Sequence, residues 1–305
     1  MSKLRGVYAP VVTPFHANLD PDTERFVAHC RWLVDNGAGL AIFGTNSEAA
    51  SLSVAERLAL TDALLAAGVP AAKLMPGTGS SSLTDAVTLT RHAVAAGAPG
   101  VLVLPPFFYK GVSDEGLFAY YSEIIERVAD DNLAIYLYHI PQMSYAPISL
   151  ALIERLLKRY PTAIAGAKDS SGDWDNSKAM IDAFAADGFG VFPASESFLS
   201  RAMPLGAAGC ISATVNVNPA EIFALFNGWD GSEGAALQSK ADAVRKIFQS
   251  TPMIPAMKYV VSQASGVEDW KVVRPPLVKL DEQAGKALMA SLDAVDYRIE
   301  GYPRS

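Results

Sequence analysis

The chain has 305 residues, half of them apolar and 19% charged, so it can bury a sizeable core; its net charge of −7, with no dense run of Lys or Arg, excludes nucleic acid as an expected partner. No stretch approaches the roughly 18 apolar residues of a membrane span, and the opening Met-Ser-Lys-Leu-Arg-Gly-Val-Tyr lacks the apolar core of a secretion signal. Two cysteines, Cys30 and Cys210, form neither a disulfide framework nor a zinc ligand set and read as small buried hydrophobes, which fits a reducing cytoplasm.

In chain order, apolar runs at 6–12, 40–44, 73–76, 100–104, 134–138, 163–168, 190–193 and 209–213 predict strands. Each run is continuous rather than alternating, as in parallel strands buried on both faces. Helical spacing fills the gaps. Residues 22–36 stop at Gly37, and 53–67 stop at Gly68 with Ser53 and Glu56 spaced as a capping box; 82–96 stop at Gly97. Further helices are predicted over 113–130, 149–159, 173–186, 196–205 and 219–227. Eight strand–helix alternations without a linker predict an α/β (β/α)₈ TIM barrel over residues 1–230. A doubly wound open sheet is the alternative, but its Gly-rich dinucleotide turn is missing after the first strand, where Val12-Thr13-Pro14-Phe15 stands instead. Residues 231–305 carry helical stretches at 232–249, 255–265 and 281–294 and are expected as a helical extension packed on the barrel or at a subunit interface.

Barrel chemistry sits at the C-terminal ends of the strands. Those ends hold Thr13, Thr45-Asn46-Ser47-Glu48, Thr78 and Ser80, Phe107-Phe108-Tyr109, Tyr138-His139, Lys168-Asp169-Ser170, Ser195-Glu196 and Ser212-Ala213-Thr214. The four histidines show no ligand spacing, so no catalytic metal is expected. The stretch 77–82 lacks the Gly-Lys-Ser/Thr ending of a nucleotide loop and reads as a tight turn, and no G-x-S-x-G elbow suggests a serine hydrolase.

Lys168 is the most informative of these residues. It ends the apolar run 163–167 and precedes Asp169-Ser170-Ser171-Gly172-Asp173, at the rim of a buried sheet. Withdrawing an amine from water disfavours its ammonium form, and a neutral amine attacks carbonyls to form imines. The plainer alternative is an ion pair with Asp169 or a helix C-terminus. Hydroxyls at the other strand ends suit a 2-oxo acid, whose carboxylate wants short donors such as Thr45 and the backbone N–H groups of the helix start that follows. Tyr138, one strand earlier, offers a phenol as a proton relay; its alternative is a tyrosine that merely caps the barrel.

With Gly44–Glu48, Tyr138-His139-Ile140-Pro141 and Gly166–Asp173 in this order, the chain resembles the dihydrodipicolinate synthase / N-acetylneuraminate lyase family over essentially its whole length. Residues 9–15 and 209–216 add to the resemblance. It implies a class I Schiff-base enzyme acting on pyruvate or 2-oxo-3-deoxy acids, needing no cofactor beyond the covalent lysine imine, and a homotetramer or dimer. By position Lys168 matches the imine-forming lysine and Tyr138 the proton-relaying tyrosine. Thr45 and Asn46 match the pair that holds the pyruvyl carboxylate, and Ile211 a residue whose backbone faces the pyruvyl group. Positions matching Ser170, Glu196 and Ala213 line the pocket for a sugar-acid tail in the lyases; two of the three are polar here, although barrel-rim solvation accounts equally for that.

Three departures bear on substrate. Met143 stands where the synthases carry the arginine that binds the second substrate's carboxylate, and a thioether does not replace a bidentate cation, a loss of about 2–5 kcal/mol for a buried carboxylate. Asn46 and Ser47 replace a threonine and a glycine. Phe108 aligns with the relay tyrosine lent by a neighbouring subunit, leaving Tyr109 as a candidate substitute. The expected function is therefore a cytoplasmic aldolase or dehydratase for a 2-oxo-3-deoxy or 4-hydroxy-2-oxo acid. The alternatives are the condensing 4-hydroxy-tetrahydrodipicolinate synthase and a non-catalytic sugar-acid sensor.

Overall fold

The computed structural model describes residues 4–304. These fall into two compact units, one of residues 4–6 with Pro70–Ile211, the other of Val7–Val69 with residues 212–304. Strands are numbered β1 (Gly6–Ala9), β2 (Gly39–Leu40), β3 (Val101–Val103), β4 (Ile135–His139), β5 (Ile164–Asp169), β6 (Gly190–Pro193) and β7 (Gly209–Ile211).

In the first unit, β3, β4, β5 and β6 pair in that order, every neighbour parallel. All their residues except Ala165 are buried, on both faces, which is why the runs are largely apolar. The predicted strand at 73–76 needs correction. Residues Ala71–Lys73 form a 3₁₀ turn, and the chain joins β3 around the Gly77–Leu102 bridge, through Leu102 N–H to Pro76 O and Thr78 N–H to Leu102 O, each 2.8 Å. Pro76 carries no N–H and cannot sustain a ladder. The predicted helix 196–205 is likewise broken, into 3₁₀ turns Glu196–Phe198 and Met203–Leu205 around one α-turn, Leu199–Ala202. Pro204 lies inside the last turn, where a continuous helix needs its missing donor.

A tyrosine fills the middle of this sheet. Register pairs Tyr136 with Gly166, and Gly166 with Gly190. A Cβ on Gly166 would lie 2.6 Å from the Tyr136 ring, and one on Gly100 would lie 2.7 Å from it. The glycines thus make room for one phenol, whose oxygen accepts from Leu4 N–H at 3.2 Å while its ring meets Phe192 edge-on.

The second unit contains β1 and β2, paired parallel with Tyr8 opposite Gly39. The predicted helix beginnings hold here. Thr23–Asp35 is capped by Asp22, and Val54–Ala66 by the reciprocal Ser53–Glu56 box. Helices Gly234–Gln249, Met253–Ser265 and Glu282–Asp293 share one apolar cluster with Val12, Ala213 and Val217. Among the described residues no helix is long and apolar enough to cross a membrane, and both cysteines are buried.

Polar order in this unit centres on Asn216, which is fully buried. Its amide donates to Pro10 O and Ala213 O, so its oxygen accepts, from Val12 N–H at 2.9 Å and from His29 Nε2 at 3.3 Å. That assigns the His29 proton to Nε2, leaving Nδ1 to accept from the Tyr302 hydroxyl at 3.1 Å. Burial brings the His29 pKa from 6.5 down to about 4, with the Asn216 hydrogen bond opposing. The unfolded chain therefore binds the proton more tightly, and stability falls as pH drops from about 6.5 to about 4.

That difference corresponds to roughly 3 kcal/mol at about 1.4 kcal/mol per pH unit. His29→Gln is expected to flatten urea-unfolding stability across this window relative to wild type, and parallel profiles would contradict the assignment. Gly166→Ala, whose Cβ would also lie 2.1 Å from Gly190 O, is expected to lower unfolding stability by about 1–3 kcal/mol, read from the urea midpoint.

Candidate active site

Parallel pairing of β4 with β5 sets Tyr138 opposite Lys168 and His139 opposite Asp169. Side chains alternate along a strand, so each pair shares a face and the two pairs face opposite ways. Lys168 is 2% exposed, and its Nζ lies 4.2 Å from the centroid of the buried Tyr138 ring. The electron-rich face of a phenol favours a cation on that nitrogen, ammonium or iminium alike.

The plainer reading of Lys168, an ion pair with Asp169, is not what the strand geometry provides. Asp169 Oδ2 accepts from the Ser177 hydroxyl at 2.6 Å and from the Asn176 amide at 3.0 Å; Oδ1 accepts from Ser171 N–H at 2.9 Å. The carboxylate thus ties the turn after β5 to helix Trp174–Phe184. Beside it, His139 Nδ1 accepts from Ile148 N–H at 3.0 Å, which puts any proton of the neutral ring on Nε2. Burial lowers the His139 pKa below 6.5, opposed by the charge of Asp169. Both residues of this second pair brace the strands that present the first.

The other predicted residues of this unit are placed as follows. Ser170 is partly buried, donates its N–H to His139 O at 2.7 Å and accepts from the Gln142 amide at 2.6 Å. Glu196 is fully buried at the start of its 3₁₀ turn, and Ile211 is the buried last residue of β7. Tyr109 and Phe108 are 71% and 73% exposed, their rings meeting edge-on at 5.5 Å. Met143, 56% exposed, sits in the short helix Pro141–Ser144 that follows β4.

Thr45 and Asn46 belong to the second unit. They lie in a 3₁₀ turn, Thr45–Ser47, and not at the start of an α-helix, which begins only at Val54. The amides of Ser47 and Glu48 are used inside that turn, bonded to Gly44 O and Thr45 O. Thr45 and Asn46 are both partly exposed, whereas Ser47 and Glu48 are buried. Thr13 Oγ1 donates to Ser47 O at 2.7 Å, and Ser47 Oγ accepts from Gly44 N–H at 3.2 Å. Phe43 and Glu48, on either side, have left-handed backbones with φ of 61° and 56°, costly conformations for residues with a Cβ.

Sequence reasoning passed over what fixes this turn. Glu48 is paired with Lys258, both side chains wholly buried, and its other oxygen accepts from Arg274 N–H at 2.9 Å. Burial brings the Lys258 pKa from 10.5 down to about 8, with Glu48 pulling it back up and Arg274 opposing. The signal in the sequence was a lysine inside the apolar helix Met253–Ser265, most of whose residues are buried.

Against known proteins, the Dihydrodipicolinate synthetase family matches residues 3–295. An uncharacterized DapA-like lyase of Chloroflexus aurantiacus is 33% identical over 298 residues, covering 97% of this chain and 98% of that one. Dihydrodipicolinate synthase from Agrobacterium tumefaciens superimposes with a TM-score of 0.88 at 29% identity, over 96% of this chain and 99% of that one. YagE, a prophage protein of the dihydrodipicolinic acid synthase family from Escherichia coli solved with pyruvate, gives 0.86 at 26% identity, over 96% and 98%. The fold is accordingly the expected α/β (β/α)₈ TIM barrel with C-terminal helices. A match over nearly the whole length makes the conclusion plain: the chain belongs to the dihydrodipicolinate synthetase family, and it is an enzyme of the class I aldolase type.

Proposed function

We propose that the chain is a Schiff-base lyase acting on a pyruvate-derived 2-oxo-3-deoxy or 4-hydroxy-2-oxo acid. The observation that carries this reading is a lysine amine 2% exposed and 4.2 Å from a tyrosine ring face. Lys168 Nζ adds to the C2 ketone, and water leaves to give a protonated imine. The Tyr138 ring stabilises that cation, and its hydroxyl relays protons during carbinolamine formation and collapse. The imine then accepts the electron pair of the C3–C4 bond, releasing an aldehyde and leaving the enamine of pyruvate. In the dehydratase version it accepts the pair left by a C3 proton, and hydroxide leaves the adjacent carbon.

Thr45 and Asn46 are assigned the substrate carboxylate, and Ile211 the pyruvyl group, from the family motif. Ser170 and the buried Glu196 are assigned the hydroxylated tail, and Tyr109 stays a candidate for the relay that Phe108 lacks. Lysine supplies the covalent chemistry, so the reading requires no metal or organic cofactor. A homotetramer or dimer belongs to the same reading. The exposed rings of Phe108, Tyr109 and Tyr145 support it, on two loops that the Gly111 N–H to Tyr145 O bond of 3.3 Å links. The low cysteine content, two buried residues, supports a cytoplasmic setting.

A condensing synthase is the second reading, favoured by the likeness to the Agrobacterium enzyme. Exposed Met143 at the arginine position weighs against it. Robust turnover of pyruvate with aspartate semialdehyde would establish it.

Borohydride treatment with pyruvate is expected to fix one reduced adduct, mapped by peptide mass to Lys168 and absent from Lys168→Ala. An adduct elsewhere, or full turnover by Lys168→Ala, would overturn the proposal. Tyr138→Phe keeps the ring face and loses the relay, so its kcat on the best 2-oxo acid is expected to fall about 10²-fold or more while the adduct still forms.

A further inference from the structure

Glu48 is the acidic residue of the 45–48 turn, and it pairs with the buried Lys258. It also occupies one of the strained positions, between the 3₁₀ turns Thr45–Ser47 and Ala49–Ser51. Its partner Lys258 comes from helix Met253–Ser265, donates also to Val272 O at 2.7 Å, and lies 4.5 Å from the Phe15 ring centroid. Arg274, beyond that helix, adds a second hold. Its backbone N–H serves Glu48, its NH1 donates to Ser51 O at 2.6 Å, and its guanidinium takes Glu56 with both NH groups. Arg57 closes the set through a bond to Ala49 O.

The carbonyls of Ala49 and Ser51 are thus each held by an arginine and the Glu48 side chain by a buried lysine, two of these three cations being supplied by the C-terminal segment. A surface turn that only connected elements would need no such clamp, since exposed loop backbone is satisfied by water. A buried ion pair adds little net stability over an apolar pair of the same volume, but it fixes geometry. The strained φ of Glu48 is the geometry being fixed.

We propose that Lys258 and Arg274 are positioning residues for the reaction: acting through Glu48, they hold Thr45 and Asn46 in the conformation that binds the substrate carboxylate. This rests on the carboxylate role proposed above for Thr45 and Asn46. The C-terminal helices then contribute to substrate affinity without touching substrate.

The test is the pyruvate dependence of borohydride trapping in wild type, Lys258→Met and Arg274→Gln, each first checked by thermal unfolding. The half-saturating pyruvate concentration is expected to rise about ten-fold or more in both variants, since small misplacements of binding groups have effects of this size. The trapping rate at saturation is expected to fall by much less. Glu48→Gln, which keeps an acceptor for Lys258, is expected to recover most of the affinity that Glu48→Ala loses. Should Lys258→Met fail to fold, Arg274→Gln, whose side chain is partly exposed, decides the matter. Half-saturation within two-fold of wild type in the folded variants, or equal losses in rate with affinity unchanged, overturns the inference while the Schiff-base reading stands. No pyruvate-dependent adduct in wild type overturns that reading, and this inference with it.

Discussion

The proposed chemistry rests on one register. Parallel pairing of β4 with β5 sets Tyr138 against Lys168, and the pleat sends both side chains to the same face. A one-residue slip of β5 would reverse this, turning Asp169 toward that face and the amine away from it. Register is held from outside by Asp169, whose oxygens engage Ser171, Asn176 and Ser177, and by His139, which receives Ile148 N–H. It is held from below by Tyr136, whose ring occupies the space left open by Gly100 and Gly166. A lysine isolated from water by such packing is costly unless its charge is accommodated, and an aromatic face 4.2 Å away does that without supplying a competing anion.

The second unit solves a different problem, keeping a short polar turn in a costly backbone conformation. Phe43 and Glu48 both adopt positive φ around Gly44–Ser47. Strain of this kind persists only where the surroundings over-determine it. Here the surroundings are Thr13 on one side and, through Glu48, the buried pair with Lys258 on the other. The C-terminal helices also build the apolar cluster that contains Val12 and Ala213, so they belong to the same core as the end of the first predicted strand.

Much of this was legible in the sequence because it depended on local pattern. Continuous apolar runs gave the strands, and Ser53 with Glu56 gave a helix start that the structure reproduces as a reciprocal cap. Elements interrupted by proline were misjudged. At Pro76 and Pro204 hydrophobicity continues while the missing N–H stops the ladder or the helix, and a pattern of apolar residues does not register a donor's absence.

By itself, the sequence determined the barrel class, the end of the strand on which Lys168 stands, and the family, since alternating apolar runs and contiguous motifs are properties of neighbours along the chain. Tertiary structure alone decided that Lys168 meets a ring face while Asp169 turns to other partners, and that Glu48 meets Lys258 across 210 positions. The physical reason is separation: the Tyr138–Lys168 and Glu48–Lys258 contacts join residues tens to hundreds of positions apart, and the strand registers and helix packing that unite them are fixed by burial summed over many side chains.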